Sequence, residues 1–446
     1  MKLYLSHGIF FFSGFSAAVV FACAFGAAVV SAGFEPAADA AGLVAAGRAA
    51  ELGGQVLLLE KMERAGRKLL ITGKGRCNLT NDAPQSEFLK HIHPDSRFLR
   101  HAFAAFFSSD IIRLLNDNGC ATVVERGGRV FPASNKAAAV VDALSQWVTH
   151  NQVEIRCGHK VEELIIQAGE VSGLKIRTRD GIHVSRAKNI IVCTGGKSYP
   201  ATGSDGDGYR FASAAGHTIE TPRPALVPLE TAGDIARRLQ GLSLRNVKAV
   251  VWVNGKKASA AFGEMLFTEF GLAGPIILTL SRFMVDELRK NHRVELAVDL
   301  KPALDETKLE NRLLRDLAEH GKTRMDSLFR KWLPAAMIPV FLELTGVPAG
   351  KAGHQLSAKE RGEILRLLKD FRLVITGCRP FKEAIITAGG VVTSEIEATT
   401  MQSKLIRHLY FAGEMIDLDA DTGGYNLQIA FSTAWLAAEA CMKPRG

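Results

Sequence analysis

The chain has 446 residues, 47% hydrophobic and 23% charged, a globular composition long enough for two or three domains with sizeable cores. Its 42 glycines gather in short motifs, without the periods of collagen, coiled coils or solenoids, which excludes fibrous and repeat architectures. A formal net charge of +9 fits either a solubilising surface or attraction to phosphate in a nucleotide, RNA or an anionic membrane; no Lys/Arg block marks a nucleic-acid tail.

Residues 9–33 contain no charged side chain. That run is long enough to span a bilayer, and Lys2 before it with Val30-Ser31-Ala32 near its end also resembles a signal peptide. A third reading is a buried first strand behind an extension of doubtful origin, from an altered start or frame. Residues 1–25 are expected to add little to a cofactor site and the protein to be cytoplasmic; the alternative is a membrane anchor through residues 9–33.

Residues 42–52, rich in alanine and glycine, suit a short helix packed closely on a sheet, with Gly53-Gly54 as its stop. Gln55–Glu60 is a continuous apolar run of the kind found in buried parallel strands, and helix followed by such a strand fits a βαβ unit. The basic, glycine-rich stretch from Glu63 to Asp82 reads as a long loop. Helices are predicted around residues 98–118 and 136–150, with a strand pair turning at Gly127-Gly128 between them. Residues 153–194 read as a small β-meander whose last segment, "NIIVCT", is a buried strand ending in glycines. Short strands follow to about residue 302, with an Asn254-Gly255 turn.

Helical periodicity takes over from 305 to 370, where Leu309, Leu313, Leu314 and Leu317 share a face and Ser357-x-x-Glu360 has capping-box spacing. Strands return in "RLVITGC", "EAIITAGGVV" and "LYFAGE", before a last helix from about Asn426 to Cys441. A chain that leaves an α/β sheet and returns to it carries an insertion. The expected fold is therefore α/β: a Rossmann-like domain with an inserted β-rich domain and a small helical subdomain. The expected boundaries are 1–33 for the extension, 34–199 for the first part of the nucleotide domain and 200–304 for the insert. The helical subdomain takes 305–370, and 371–446 ends the insert and returns to the nucleotide domain.

A dinucleotide fold places phosphate at a helix N-terminus behind glycines, and an acidic residue at the next strand end binds a ribose hydroxyl. Gly42 fits the third glycine of that fingerprint, opening the helix, and Glu60 fits the acid. The first two glycine positions hold Ala37 and Asp39, so this half-fingerprint is by itself matched by an ordinary helix–strand pair. Seven cysteines, an odd number without a Cys-x-x-Cys pair, point to reduced thiols and away from disulfides or zinc. The aspartates at 417, 419 and 421 lack the later glutamate of a calcium loop, and no metal is expected.

Five further stretches occur in order: "AGRKLLITGKGRCNLTN", "TGGKSYPATGSDGDGYRFA", "LFTEFGLAGPIIL", "ITAGGVV" and "LYFAGEMIDLDADTGGYNLQIAFSTAW". Together they resemble the BaiN/RdsA-type, or YhiN-like, NAD(P)/FAD-dependent oxidoreductases over about residues 40–442. The resemblance implies that Gly42 and Glu60, with Lys61 beside it, hold the ADP half of FAD. It implies that Arg67, Lys68, Gly73, Gly75, Arg76, Cys77 and Asn78 wrap the pyrophosphate and approach the flavin. Thr194, Gly195 and Gly196 would run back past the cofactor. Gly413 and Glu414 would hold a ribityl hydroxyl, and Gly423, Gly424, Tyr425 and Asn426 would lie beside the isoalloxazine.

The activity so implied is an FAD-dependent oxidoreductase that passes hydride through flavin N5, with NAD(P)H docking transiently as donor. No catalytic side chain is assigned. Across the family the substrates differ between a uridine of ribosomal RNA, reduced to dihydrouridine, and small molecules such as bile-acid-type steroids. A non-catalytic RNA-binding protein that has lost FAD through its altered first turn, and a membrane-anchored flavoprotein, are the competing readings. The insert is expected to cover the flavin face and choose the substrate.

Overall fold

The computed structural model describes residues 17–22, 38–64 and 66–443. It divides into two compact units: one takes the chain up to Arg223 and again from Thr387, the other Pro224–Ile386. Where the sequence reading starts the insert at 200, the second unit starts at Pro224, and residues 200–223 group with the first.

The first unit is built on a five-stranded parallel sheet. Its strands are β1 (Ala17–Ala22), β2 (Gln55–Glu60), β3 (Glu154–Cys157), β4 (Asn189–Cys193) and β5 (Leu409–Phe411), in the order β5-β4-β1-β2-β3. The central strand thus comes from inside the apolar N-terminal run, where one of the three readings of that run puts a buried first strand. Residues 154–157 and 189–193 also join this sheet; only Lys160–Gln167, Glu170–Thr178 and Gly181–Arg186 form the antiparallel meander.

Helix α1 (Ala38–Glu51) links β1 to β2. Its small residues have a packing reason: Ala41, Ala45 and Ala49 are fully buried, and a Cβ on Gly47 would stand 2.2 Å from the Trp147 ring. The other central helix, named α3 below, spans Tyr425–Met442 and buries residues on all its faces, among them Leu427, Phe431, Ala434 and Ala438. A helix apolar all round belongs inside a domain. The loop between Glu63 and Asp82 contains a four-residue helix, Arg67–Leu70. Between β4 and β5 lies α2 (Asp207–Ala214).

The second unit carries a closed antiparallel barrel of six strands: Leu229–Thr231, Gly271–Ala273, Lys256–Phe267, Ser243–Val253, Val294–Asp299 and Phe371–Cys378. It has its own core, to which the helices between 306 and 369 contribute Leu309, Leu313, Leu317 and Ile364. Leu314 does not share that face and is 42% exposed. The capping box forms as spaced, with Ser357 Oγ accepting from Glu360 N at 3.2 Å and the Glu360 carboxylate accepting from Ser357 N at 2.8 Å. Lys351, with help from Ser357, holds the Glu360 carboxyl down to about 2.

Candidate functional site

In the parallel sheet β1 leads to β2 on one side, while β4 pairs on its other side. Strand order therefore reverses between β1 and β4, and a ligand crevice is expected outside the carboxyl ends there. The register makes this edge level: Ala22 is opposite Glu60 on one side and Cys193 on the other, and Val192 is opposite Phe411. Glu60, the Thr194-Gly195-Gly196 turn and the Gly413-Glu414 turn consequently emerge from one edge. Gly195 and Gly413 sit at φ 67° and 76°, the left-handed region that favours glycine.

Glu60 is fully buried, and one of its oxygens accepts from Met62 N at 3.0 Å. Lys61 is paired with Asp205 at 2.7 Å and Asp207 at 3.1 Å. Burial alone would raise the Asp207 carboxyl, but the Lys61 ammonium and Arg210 outweigh it and hold it below the usual aspartate range. Lys61, Val161, Thr194, Asp207 and Phe211 line one small cavity at this edge.

Glu414 is the hub of the other side. Its carboxylate takes the Lys68 ammonium at 2.9 Å and the Thr387 N–H at 2.8 Å, and all three residues are buried. Thr387 Oγ1 accepts from the backbone N–H groups of Lys197 and Ser198 at 2.7 and 3.0 Å. A Cβ on Gly196 would stand 2.4 Å from that oxygen, so glycine is required where the turn after β4 meets Thr387.

Two motifs far apart in sequence meet at the start of α3. With its amide oriented to satisfy both ends, Asn78 accepts from Gly424 N at 3.0 Å and donates to Val130 O at 3.3 Å. Asn81 donates to Gly423 O at 3.2 Å, and Thr80 Oγ1 donates to Gln428 Oε1 at 2.7 Å. Gly424, at φ 96°, has no room for a Cβ, which would be 2.3 Å from Thr80 O. Upstream, Gly73, Lys74, Gly75 and Cys77 all have positive φ. Two non-glycine residues in that region make a constrained turn of the sort kept at functional sites.

Other predicted residues lie elsewhere or are otherwise engaged. Gly42 is one turn inside α1, which begins at Ala38, so it does not open the helix. Arg76 binds Glu125 and Asn135 and stacks on Phe131. Tyr425 stacks on His91 and meets Phe88 edge-on, while the Asn426 amide ties the backbone of Ala420. Cys77 is fully buried. Ala37 and the side chains of Asp39 and Arg67 lie outside the described residues. Sequence reasoning missed Ser198, Asp207, Tyr209 and Thr387, although all four stand in the quoted motifs. Among the described residues, no group of three or more His, Cys, Asp or Glu is placed to hold a metal.

The donor set fits a dinucleotide with a polyol: two buried carboxylates for vicinal hydroxyls, two lysines for phosphate, and glycine turns for close backbone approach. Ser204 Oγ and Tyr209 Oη are buried with no hydrogen-bond partner among the described residues, which suits a site completed by a ligand. Fold and site define a Rossmann-type FAD-dependent oxidoreductase. The family model described as HI0933-like protein Rossmann domain matches residues 30–440, and the chain belongs to that HI0933-like family.

Two curated relatives align along nearly the whole chain. The 3-dehydro-bile acid delta(4,6)-reductase of Clostridium scindens is 31% identical over 403 residues, 90% of this chain and 96% of its own. The ribosomal RNA dihydrouridine synthase of Escherichia coli is 28% identical over 402 residues, again 90% and 96%. Among solved structures, 3-ketosteroid delta1-dehydrogenase from Sterolibacterium denitrificans covers 95% of this chain and 99% of its own, with 14% identity and a TM-score of 0.49.

Proposed function

We propose that the protein reduces an activated carbon–carbon double bond in a uridine of ribosomal RNA, with NAD(P)H as electron donor. FAD, when bound, would supply two-electron hydride chemistry. The chain's residues bind and orient it: Glu60 on the adenosine ribose, Lys61 and Lys68 near the phosphates, Glu414 on the ribityl chain. Gly423 and Gly424 let the N-terminus of α3 approach the ring edge where reduction builds negative charge. Both relatives' names describe addition across a carbon–carbon double bond, so the reaction class is common to them and the substrate is not.

The observation that carries the RNA reading is the distribution of charge. The unit Pro224–Ile386 holds 26 lysines and arginines against 19 aspartates and glutamates, a surplus of seven in a chain whose total is +9. A substrate-selecting insert with that surplus suits a phosphate backbone. The second reading, a small enone-type substrate, is favoured by the higher identity to the bile-acid reductase.

The test is to reduce the purified flavoprotein anaerobically with NADPH or NADH and then offer an rRNA transcript or a steroid enone. Reoxidation by RNA with dihydrouridine found by mass spectrometry supports the first reading; reoxidation by the steroid alone supports the second. A cytoplasmic location follows on the same reading. Residues 17–22 cannot be both a strand of this sheet and part of a spanning helix, and no described helix is long and apolar enough to cross a membrane. Recovery of the native protein in a salt-resistant membrane pellet refutes it.

A further inference from the structure

Thr387 Oγ1 has two lone pairs and one proton. Lys197 N–H and Ser198 N–H occupy the lone pairs, so the proton goes to Ser198 Oγ, 3.0 Å away. Ser198 then keeps a proton of its own. No hydrogen bond to a described residue uses it, and Ser198 is fully buried. A second hydroxyl is in the same position: Tyr209 Oη is buried without a partner among the described residues. Buried donors with no acceptor are costly and rare, and here, with Ser204 Oγ, three occur within one short segment after β4.

Ser198 and Tyr209 are tied to Glu414. Ser198 reaches it through Thr387, whose N–H holds the Glu414 carboxylate. Tyr209 lies in α2, which is pressed against this edge: a Cβ on Gly208 would stand 1.9 Å from Thr194 Oγ1 and 3.3 Å from Met415 Cε. Burial, followed by the carboxylates of Glu414 and Asp417, pushes the Tyr209 phenol well above its ordinary range. The phenol therefore stays protonated as a neutral donor, and the Glu414 carboxylate already has Lys68 as its counter-ion, so no charged partner is called for. The missing acceptor is a neutral oxygen, as in a polyol hydroxyl or a ring carbonyl.

We propose that the Ser198 and Tyr209 hydroxyls donate hydrogen bonds to the neutral ribityl–flavin half of FAD. This rests on the FAD reading above.

The experiment titrates wild-type, Ser198→Ala and Tyr209→Phe apoproteins with FAD and with ADP, and melts each apoprotein alone. Each variant is expected to bind FAD about tenfold more weakly, the scale of one lost hydrogen bond. ADP affinity stays unchanged; the Tyr209→Phe apoprotein melts at an equal or higher temperature because an unsatisfied donor has gone, whereas Ser198→Ala also removes the acceptor of the Thr387 proton and is read by its FAD-to-ADP affinity ratio. Unchanged FAD affinity with a lower melting temperature overturns the proposal, since the hydroxyls then serve the protein. Equal losses for ADP and FAD also overturn it, by placing them at the adenosine half. If Ser198→Ala does not fold, the isosteric Tyr209→Phe decides by the same outcomes. A wild-type apoprotein that binds no FAD refutes the cofactor reading instead.

Discussion

Lys68 and Glu414 are a buried ion pair at the centre of the cofactor edge, with side chains 0% and 4% exposed. Losing one member leaves a bare charge in the interior, at a cost of about 3–5 kcal/mol. Lys68→Met is therefore expected to lower folding stability by about that amount, and adding Glu414→Gln to recover most of it; urea titration of the two proteins checks this. Glu60 acts differently, because its proposed partner is the ligand. Glu60→Ala should weaken FAD binding by about 1–3 kcal/mol, and full FAD retention would refute its assignment. Asp207 gives a pH signature. Its folded-state pKa lies below the ordinary value of 3.8, so its contribution to stability is complete above that value and fades as pH falls through the depressed one. Asp207→Asn should flatten the acid limb of the stability profile, measured as melting temperature against pH. The placement of Glu60 and Glu414 at the sheet edge was legible because an apolar strand leads to each. Ser198 and Thr387 were not, because their roles come from which lone pairs are already filled, and sequence carries no record of that.

Elements show the same division between local and long-range information. The helix at 137–150, the Gly127-Gly128 and Asn254-Gly255 turns and the Ser357 cap follow from nearby residues, and they form where the spacing puts them. Strand membership does not follow from local pattern. Residues 154–157 and 189–193 look like neighbours of the meander in sequence, yet parallel pairing with β2 and β1 takes them into the main sheet. Helical spacing puts Leu314 on one stripe with Leu309, Leu313 and Leu317, but the core takes in only the other three. The meeting of the 78–81 segment with α3 was not legible, since hundreds of residues separate them. It rests on Gly424, where a side chain would be strained in φ and would collide with backbone at Thr80. Gly424→Ala should cost about 1–3 kcal/mol from overpacking and strain and release FAD, read by thermal melting and by the flavin absorbance of the purified protein. A variant that keeps both would mean the α3 N-terminus can shift without consequence.

At the scale of the whole molecule, the charge surplus sits in the inserted unit, and the sheet edge that carries Glu60 and Glu414 sits in the discontinuous one. The discontinuous unit depends on β1. It pairs along its full length, Ala17–Ala22 with β2 and Ala18–Ala22 with β4, and without it the sheet separates into β4–β5 and β2–β3. Two-stranded remnants are marginal in water, and the crevice at the β1/β4 carboxyl ends no longer exists. Removing residues 1–25 is therefore expected to abolish cooperative folding and flavin retention, whereas an export signal would be dispensable for both. Thermal unfolding and the flavin spectrum of the full chain and of the truncated protein test this side by side. A truncated protein that melts cooperatively with FAD bound would show that the sheet closes without residues 17–22, and the apolar run would then have to be read as a signal or an anchor.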